Sequence, residues 1–335
     1  MYLIALLSSL VAFVVGVVFV KKIVLQNFVK WGISSKDVHK PYSEQTIPES
    51  GGVTLLVYEA VFVILLLLFN KISTETLCLF LVSAIAGLIG FIDDLKKLNK
   101  VVKPLLTVAA ALPIILLKET PSYLFLPFGV RFHIPIVYML LVLIAIPVTS
   151  NAINMFDVFN GVATGTTLVA VLGLTVLKLI NIIIGRDSFS LVSFFQVTFL
   201  LIPGLFLIYL YNRYPSKMFV GDTGTLSMGA IIGALSIIYR LEIAGVLFLL
   251  LPITNSFVSL SIFGGLFERH ELKERPIVVE RDGTLKPNES KSAPVTFTRI
   301  VLLFGYSKEK EVINFYMTIN LILLFFGILS YLLVM

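Results

Sequence analysis

Apolar residues in this chain come in long runs separated by short polar stretches. Each run is near the ~20 residues that an α-helix needs to cross a bilayer. The runs predict membrane-spanning helices at 2–20, 51–69, 76–92, 103–117, 134–149, 162–184, 191–211, 223–239, 243–263 and 313–334. The fourth and fifth are short, so they tilt little or extend into their flanks. Between the ninth and tenth lies the longest connection, 264–312. In it, Ile277 to Glu280 and Thr284-Leu285 flank Arg281-Asp282-Gly283, which is a hairpin signal. Residues 295–305 read as an amphipathic interfacial helix. The expected fold is all-α, a polytopic membrane helical bundle of about ten transmembrane helices. It forms one domain over 1–335, with the hairpin and amphipathic helix inside the 264–312 loop.

Composition agrees. The 335 residues are 58% hydrophobic and 14% charged, whereas soluble domains carry about 25% charged residues. The single cysteine, Cys78, excludes an intrachain disulfide and a multi-cysteine metal site. The first run lacks a basic leader and a small-residue cleavage site, and Lys21-Lys22 follow it, so it reads as a retained span.

Charge sets the expected sidedness. The odd-numbered connections (20–50, 93–103, 150–161, 212–222, 264–312) hold 20 of the 26 lysines and arginines. The positive-inside rule then puts those connections in the cytosol and both termini outside. The net charge of +6 therefore needs no nucleic acid as partner; it marks a face that attracts anionic lipid or anionic substrate. The same connections hold 15 of the 20 carboxylates, which the rule does not require. Acids and bases converging on one face suggest a polar site there.

Four clusters could do chemistry. Asp93-Asp94 closes the third span, with Lys103 following. Each Asp at a span centre would cost ~2.5–3.5 kcal/mol, so the pair belongs at the span end. It is either a solvated helix end or a carboxylate pair beside a Mg²⁺-bound anion. Asn151 to Gly161 holds three asparagines and Asp157 without a lysine or arginine. It is either a polar turn or a set of amide ligands and base-edge readers. Tyr214 to Thr225 opens the eighth span; Asp222 there is a helix cap, or a metal ligand where backbone amides also favour phosphate. Phe267 to Pro276 carries Arg269 and His270, better read as phosphate or sugar contacts than as a zinc site, since no other His stands at ligand spacing. Glu59 and Lys178 are ionisable residues inside spans and stay unassigned.

Together with Ile47-Pro48-Glu49-Ser50-Gly51-Gly52-Val53, these clusters resemble the polyprenyl-phosphate N-acetylhexosamine-1-phosphate transferase superfamily. The resemblance runs along nearly the whole chain and is nearest to its UDP-GlcNAc–dolichyl-phosphate GlcNAc-1-phosphotransferases. It implies about ten spans and transfer of GlcNAc-1-phosphate from UDP-GlcNAc to a polyprenyl (dolichyl-type) phosphate. UMP is released, with Mg²⁺, or Mn²⁺ in its place, as cofactor. It implies Asn154 and Asp222 as metal ligands and Asp93, Asp94 and Lys103 as catalytic residues, Lys103 touching the pyrophosphate. Asn160 and Phe219 fall on the uracil side, Glu49 faces the nucleotide sugar, and Arg269 and His270 lie near the diphosphate and sugar. The implied setting is a cell membrane (an ER membrane in a eukaryote) with the active site cytosolic; a homodimer is compatible with it.

Departures refine this. The chain lacks the His-x-His of bacterial members, and Glu271 stands where the eukaryotic pattern has arginine. Asp157 is present, as in bacterial members, and the long eukaryotic insertion is absent. That combination is expected of an archaeal-type relative. The readings that compete are the same reaction with another UDP-N-acetylhexosamine, a transporter or flippase, and a catalytically silent scaffold. Polar groups at span ends rather than at the midplane count against transport.

Overall fold

A computed structural model describes residues 1–125, 130–263, 274–290 and 293–334. Its helices are α1 (Tyr2–Phe19), α2 (Val53–Leu68), α3 (Thr74–Lys96), α4 (Val102–Thr107), α5 (Leu112–Leu116), α6 (Pro135–Phe156), α7 (Val162–Ile183), α8 (Leu191–Asn212), α9 (Gly221–Ile238), α10 (Glu242–Phe248), α11 (Leu250–Phe263), α12 (Phe297–Leu303) and α13 (Glu309–Val334). α1 continues through π-helical turns at Val20–Phe28, and α4 joins α5 through a 3₁₀ turn at Val108–Ala111. Among the described residues, seven helices are long and apolar enough to cross a membrane. The bent pair α10–α11 and the shorter apolar helices Val53–Leu68 and Val102–Leu116 fall on the remaining expected spans. The protein is a polytopic helical membrane protein.

Local sequence explains the element ends. Ser73 caps α3 by accepting from the Thr76 N–H at 3.3 Å, and Thr296 caps α12 by accepting from the Arg299 N–H. Pro203 lies inside α8 and has no N–H, which frees the Phe199 carbonyl four residues earlier. The Tyr58 hydroxyl of α2 donates to that carbonyl and lies 2.9 Å from Ser9 Oγ of α1. One tyrosine thus ties three helices together.

The hairpin of the last loop is present, with strands β5 (Ile277–Val279) and β6 (Leu285–Pro287). The amphipathic segment is α12. Both pack with the start of α13 on a small second core of Phe156, Phe159, Leu285, Val301, Leu302 and Tyr316. Two further hairpins were not expected: β1 (Ser34–Lys36) with β2 (Thr46–Pro48), and β3 (Tyr123–Phe125) with β4 (Arg131–His133).

Helix α9 is the axis of the bundle. Of its most apolar 18-residue stretch 89% is buried, against 28% for α13 and 33% for α1. Its closest neighbour is α3, and the contact is made by small residues. The Ser227 hydroxyl donates to the Ser83 carbonyl at 2.9 Å, and Gly87 and Gly90 face Ser227 and the Asp222 carbonyl. Tight approach through small residues is how helices associate where water cannot drive them together. A Cβ at Gly90 would overlap the Asp222 carbonyl, so glycine sets the separation of α3 and α9 where both carry aspartates.

Candidate active site

The ends of α3, α6, α8 and α11, the starts of α4 and α9, the turn before α7, and the loop between α1 and α2 line a cavity of 460 Å³. Glu49, Asp93, Lys103, Asn154, Asn160, Phe219 and Asp222, drawn from four separate connections, all line it. Asp94 stands directly behind. Arg269 and His270 lie outside the described residues.

Lys103 Nζ is 2.5 Å from Asp222 Oδ2 and 3.2 Å from Asp93 Oδ2. The other oxygen of Asp93 accepts from the Leu98 N–H at 2.6 Å. Asn154 Nδ2 donates to Asp222 Oδ1 at 2.9 Å and to Thr225 Oγ1 at 2.8 Å. Asp222 therefore has both oxygens engaged by residues of other helices. It is not a helix cap: α9 begins without a side-chain cap, and Asp222 sits in its first turn.

The two adjacent aspartates have different work. Asp94 accepts from the Asp222 N–H at 2.7 Å, and from the N–H and hydroxyl of Thr223 at 3.2 and 2.7 Å. The first amides of α9, which as sequence could have received phosphate, are consumed by Asp94. The anion-binding capacity here rests on side chains such as Lys103 and not on the helix terminus.

The segment from Pro48 to Gly52 pairs with the entry to α9. The Phe219 N–H donates to the Pro48 carbonyl, the Gly51 N–H to Phe219, and the Gly52 N–H to Val220, at 2.8, 2.8 and 2.9 Å. Gly52 packs against the backbone of Gly224, where a Cβ has no room. This pairing brings Glu49 and Phe219 to the same wall. Burial, then the negative charge of Asp94, raises the pKa of Glu49 above the ordinary carboxylate value.

Sequence reasoning missed part of the wall. Asp37, His39, Phe159 and Asn212 also line the cavity. Asn212, at the end of α8, accepts from the Gly161 N–H at 3.1 Å and the Thr164 hydroxyl at 3.0 Å, and donates to the Met218 carbonyl at 3.1 Å. It fixes two cavity loops to each other. His39 stacks on Phe159, ring centroids 4.3 Å apart. The run Asp37-x-His39-Lys40 was a visible signal, three titratable residues in four positions; Asn212 gave none.

A polar cavity at one end of a membrane bundle, rich in carboxylates with a lysine between two of them, has the chemistry to receive an anionic substrate. The comparisons with known proteins give the family. The sequence pattern of Glycosyl transferase family 4 matches residues 76–240. A provisionally named UDP-N-acetylglucosamine–dolichyl-phosphate N-acetylglucosaminephosphotransferase of Sulfolobus acidocaldarius is 30% identical over 259 residues, 76% of each chain. Its similarly named counterpart in Saccharolobus solfataricus is 26% identical over 92% of this chain and 89% of that one. A phospho-N-acetylmuramoyl-pentapeptide-transferase of Streptococcus pneumoniae is 27% identical over 62% of this chain and 64% of its own. The chain belongs to glycosyl transferase family 4, as an archaeal-type member of the polyprenyl-phosphate hexosamine-1-phosphate transferases. It is a phosphotransferase that works on a nucleotide-sugar donor and a polyprenyl phosphate acceptor in a membrane.

Proposed function

We propose that the chain transfers GlcNAc-1-phosphate from UDP-GlcNAc to a dolichyl-type polyprenyl phosphate, releasing UMP, at the cytosolic end of the bundle. The observation that carries this reading is the array of Asp93, Lys103, Asn154 and Asp222 in one cavity with Glu49, Asn160 and Phe219. The names of the archaeal relatives support GlcNAc as the sugar and dolichyl phosphate as the acceptor.

An oxygen of the lipid phosphate attacks the β-phosphorus of the donor. A new P–O bond forms to the lipid phosphate, the bond to the bridging oxygen breaks, and the electron pair leaves with UMP. A phosphomonoester has its second pKa near 6, so about neutral pH the acceptor arrives mostly as a dianion. Both reactants are then anions, and the barrier lies in charge neutralisation and alignment more than in proton removal. Lys103 is placed to neutralise the diphosphate, and Asp93 orients Lys103. Asp94 holds the start of α9, and with it Asp222, in place.

The donor set suits a divalent hard cation. Asp93 and Asp222 offer carboxylate oxygens, Asn154 offers an amide oxygen, and the Lys103 ammonium between the two acids marks where positive charge is favoured. We assign Asp222 and Asn154 as ligands of Mg²⁺, or of Mn²⁺. Bound there, the ion would withdraw charge from the diphosphate oxygens. Asn154 turns its Nδ2 toward Asp222, so ligation through its oxygen entails a rotation of the amide.

The test is UMP release by purified protein given Mg²⁺, a polyprenyl phosphate and UDP-GlcNAc, with Asp222→Ala alongside. Lipid-dependent UMP from the parent alone supports the reading. Release only with a different UDP-hexosamine would replace the sugar, and no release with any donor would remove the transferase assignment.

A further inference from the structure

One wall of the cavity, carrying Asp37 and Asn160, is backed by a polar cluster. Asn160 is 7% exposed, Asp37 6% and Glu309 7%. Asn160 Nδ2 donates to Asp37 Oδ2 at 3.1 Å and to Glu309 Oε1 at 3.2 Å. These are its only side-chain hydrogen bonds among the described residues, so Oδ1 is left without a protein partner.

The direction of the amide follows from the charge of its neighbours. Lys40 Nζ lies 3.1 Å from Asp37 Oδ2 and 4.0 Å from Glu309 Oε2. The His39 N–H also donates to Asp37, at 3.0 Å. Burial opposes the charge on Asp37, but the His39 N–H, Lys40 and Asn160 outweigh it and hold its pKa below the usual carboxylate value. An ionised carboxylate only accepts hydrogen bonds. Asn160 must therefore turn its NH₂ toward Asp37, since the reverse would set a carbonyl oxygen against an ionised carboxylate; the second amide hydrogen then falls on Glu309 Oε1.

We infer that Asp37 and Glu309 are positioning residues that lock the Asn160 amide with its oxygen toward the cavity, so that the site accepts a nucleobase presenting an N–H and rejects one presenting a lone pair. Uracil presents its N3–H, and the cytosine N3 is an acceptor. The inference rests on the uridine-nucleotide reading above and adds to it the origin of base choice. Asp37 comes from the loop after α1, Asn160 from the turn before α7, and Glu309 from the first turn of α13. Base choice is thus set by three segments that meet only in the folded bundle.

A site built to hydrogen-bond a donor rejects an analogue lacking it, because its own buried acceptor is left unpaired. The test measures binding of UMP and of CMP to full-length protein in detergent with Mg²⁺. The parent is expected to prefer UMP by about 10–100-fold, the range of a good base contact. In Asp37→Asn the new amide can donate to the Asn160 oxygen and release the lock. The preference is then expected to fall by roughly tenfold, with CMP binding tighter than it does to the parent. Glu309→Ala removes one of the two acceptors from a different helix and is expected to give a smaller fall; it decides the matter should Asp37→Asn not fold. Equal loss of UMP and CMP affinity in these variants, with the ratio unchanged, would overturn the inference and leave only a structural role. A parent that releases UMP but binds UMP and CMP equally would overturn it while leaving the transferase reading intact. A parent that binds neither nucleotide would overturn both.

Discussion

Lys103 and Lys178 are each held by aspartate near a helix end, and their surroundings differ. The Lys103 ammonium is shared by Asp93 and Asp222 beside an open cavity, and its side chain is 16% exposed. Lys178, 1% exposed, pairs among the described residues with Asp187 alone and is covered by the rings of Phe189 and Tyr239, at 4.2 and 5.2 Å to their centroids. The Tyr239 carbonyl accepts its remaining contact at 3.4 Å. One cation thus serves two anions where ligands can enter; the other is matched one to one and sealed. On the proposed function, the same pair of residue types serves chemistry in the first setting and structure in the second. In the sequence Lys103 takes a role from its motif while Lys178 stays unassigned, because the aromatic lid on Lys178 comes from residues 11 and 61 positions away.

The comparison is sharpest in Asp222→Ala and Lys103→Ala. Each is expected to reduce UMP formation by about 10³-fold or more while the protein stays folded, the scale seen when one preorganised electrostatic group is removed. Gly90→Ala comes next. Its methyl would press on the Asp222 carbonyl and move the α9 start; we expect about 10²-fold lower activity, since small displacements near the reacting atoms cost that much. Scoring turnover against melting temperature separates this from plain unfolding.

Lys178→Met should give the opposite profile. Breaking a buried pair costs ~3–5 kcal/mol, and we expect about 2 kcal/mol here, because Asp187 is partly exposed and keeps some hydration. The melting temperature would drop with turnover per folded molecule unchanged. A Lys178→Met that folds normally but loses turnover would collapse the distinction between the two lysines.

The smallest effect lies at the same end as Lys178. Glu119 is half-buried, and burial, then the charge of Glu75, raises its pKa from 4.5 to about 7. The folded state then holds the proton more tightly than the unfolded one. Its contribution to stability is complete below pH 4.5 and is lost as pH rises through about 7. Melting temperatures should fall over that window, and Glu119→Gln should flatten that fall.

Much of the fold was legible because lipid imposes a simple rule: each helix must be apolar over about 20 residues. All ten expected segments are helical. The extension of α1 through Val20–Phe28 was not expected, because Lys21 and Lys22 break the apolar run while the helix continues past them. The hairpins β1–β2 and β3–β4 were missed as well; their strands are three residues long, too short for alternation to register. At the site, Asp93, Lys103, Asn154, Asn160, Phe219 and Asp222 stood out as polar or motif residues at span ends, and they do converge on one cavity. The division of labour between Asp93 and Asp94 was hidden, because Asp94 is defined by amides 128 and 129 residues away. Glu309 was hidden for the same reason, its link to Asn160 spanning 149 positions.

That separation bears on how the chain is made. Asp94 enters the membrane with α3 long before the ribosome has produced the α9 amides that will satisfy it. Throughout that interval the newborn helix carries Asp94 without the α9 amides that later hold it. Its place at the tail of α3, and not within it, lets that group wait in the headgroup water, where holding a charge costs little. Arrival of α9 then exchanges water for protein hydrogen bonds, and the cleft closes around a carboxylate that was never stranded in lipid.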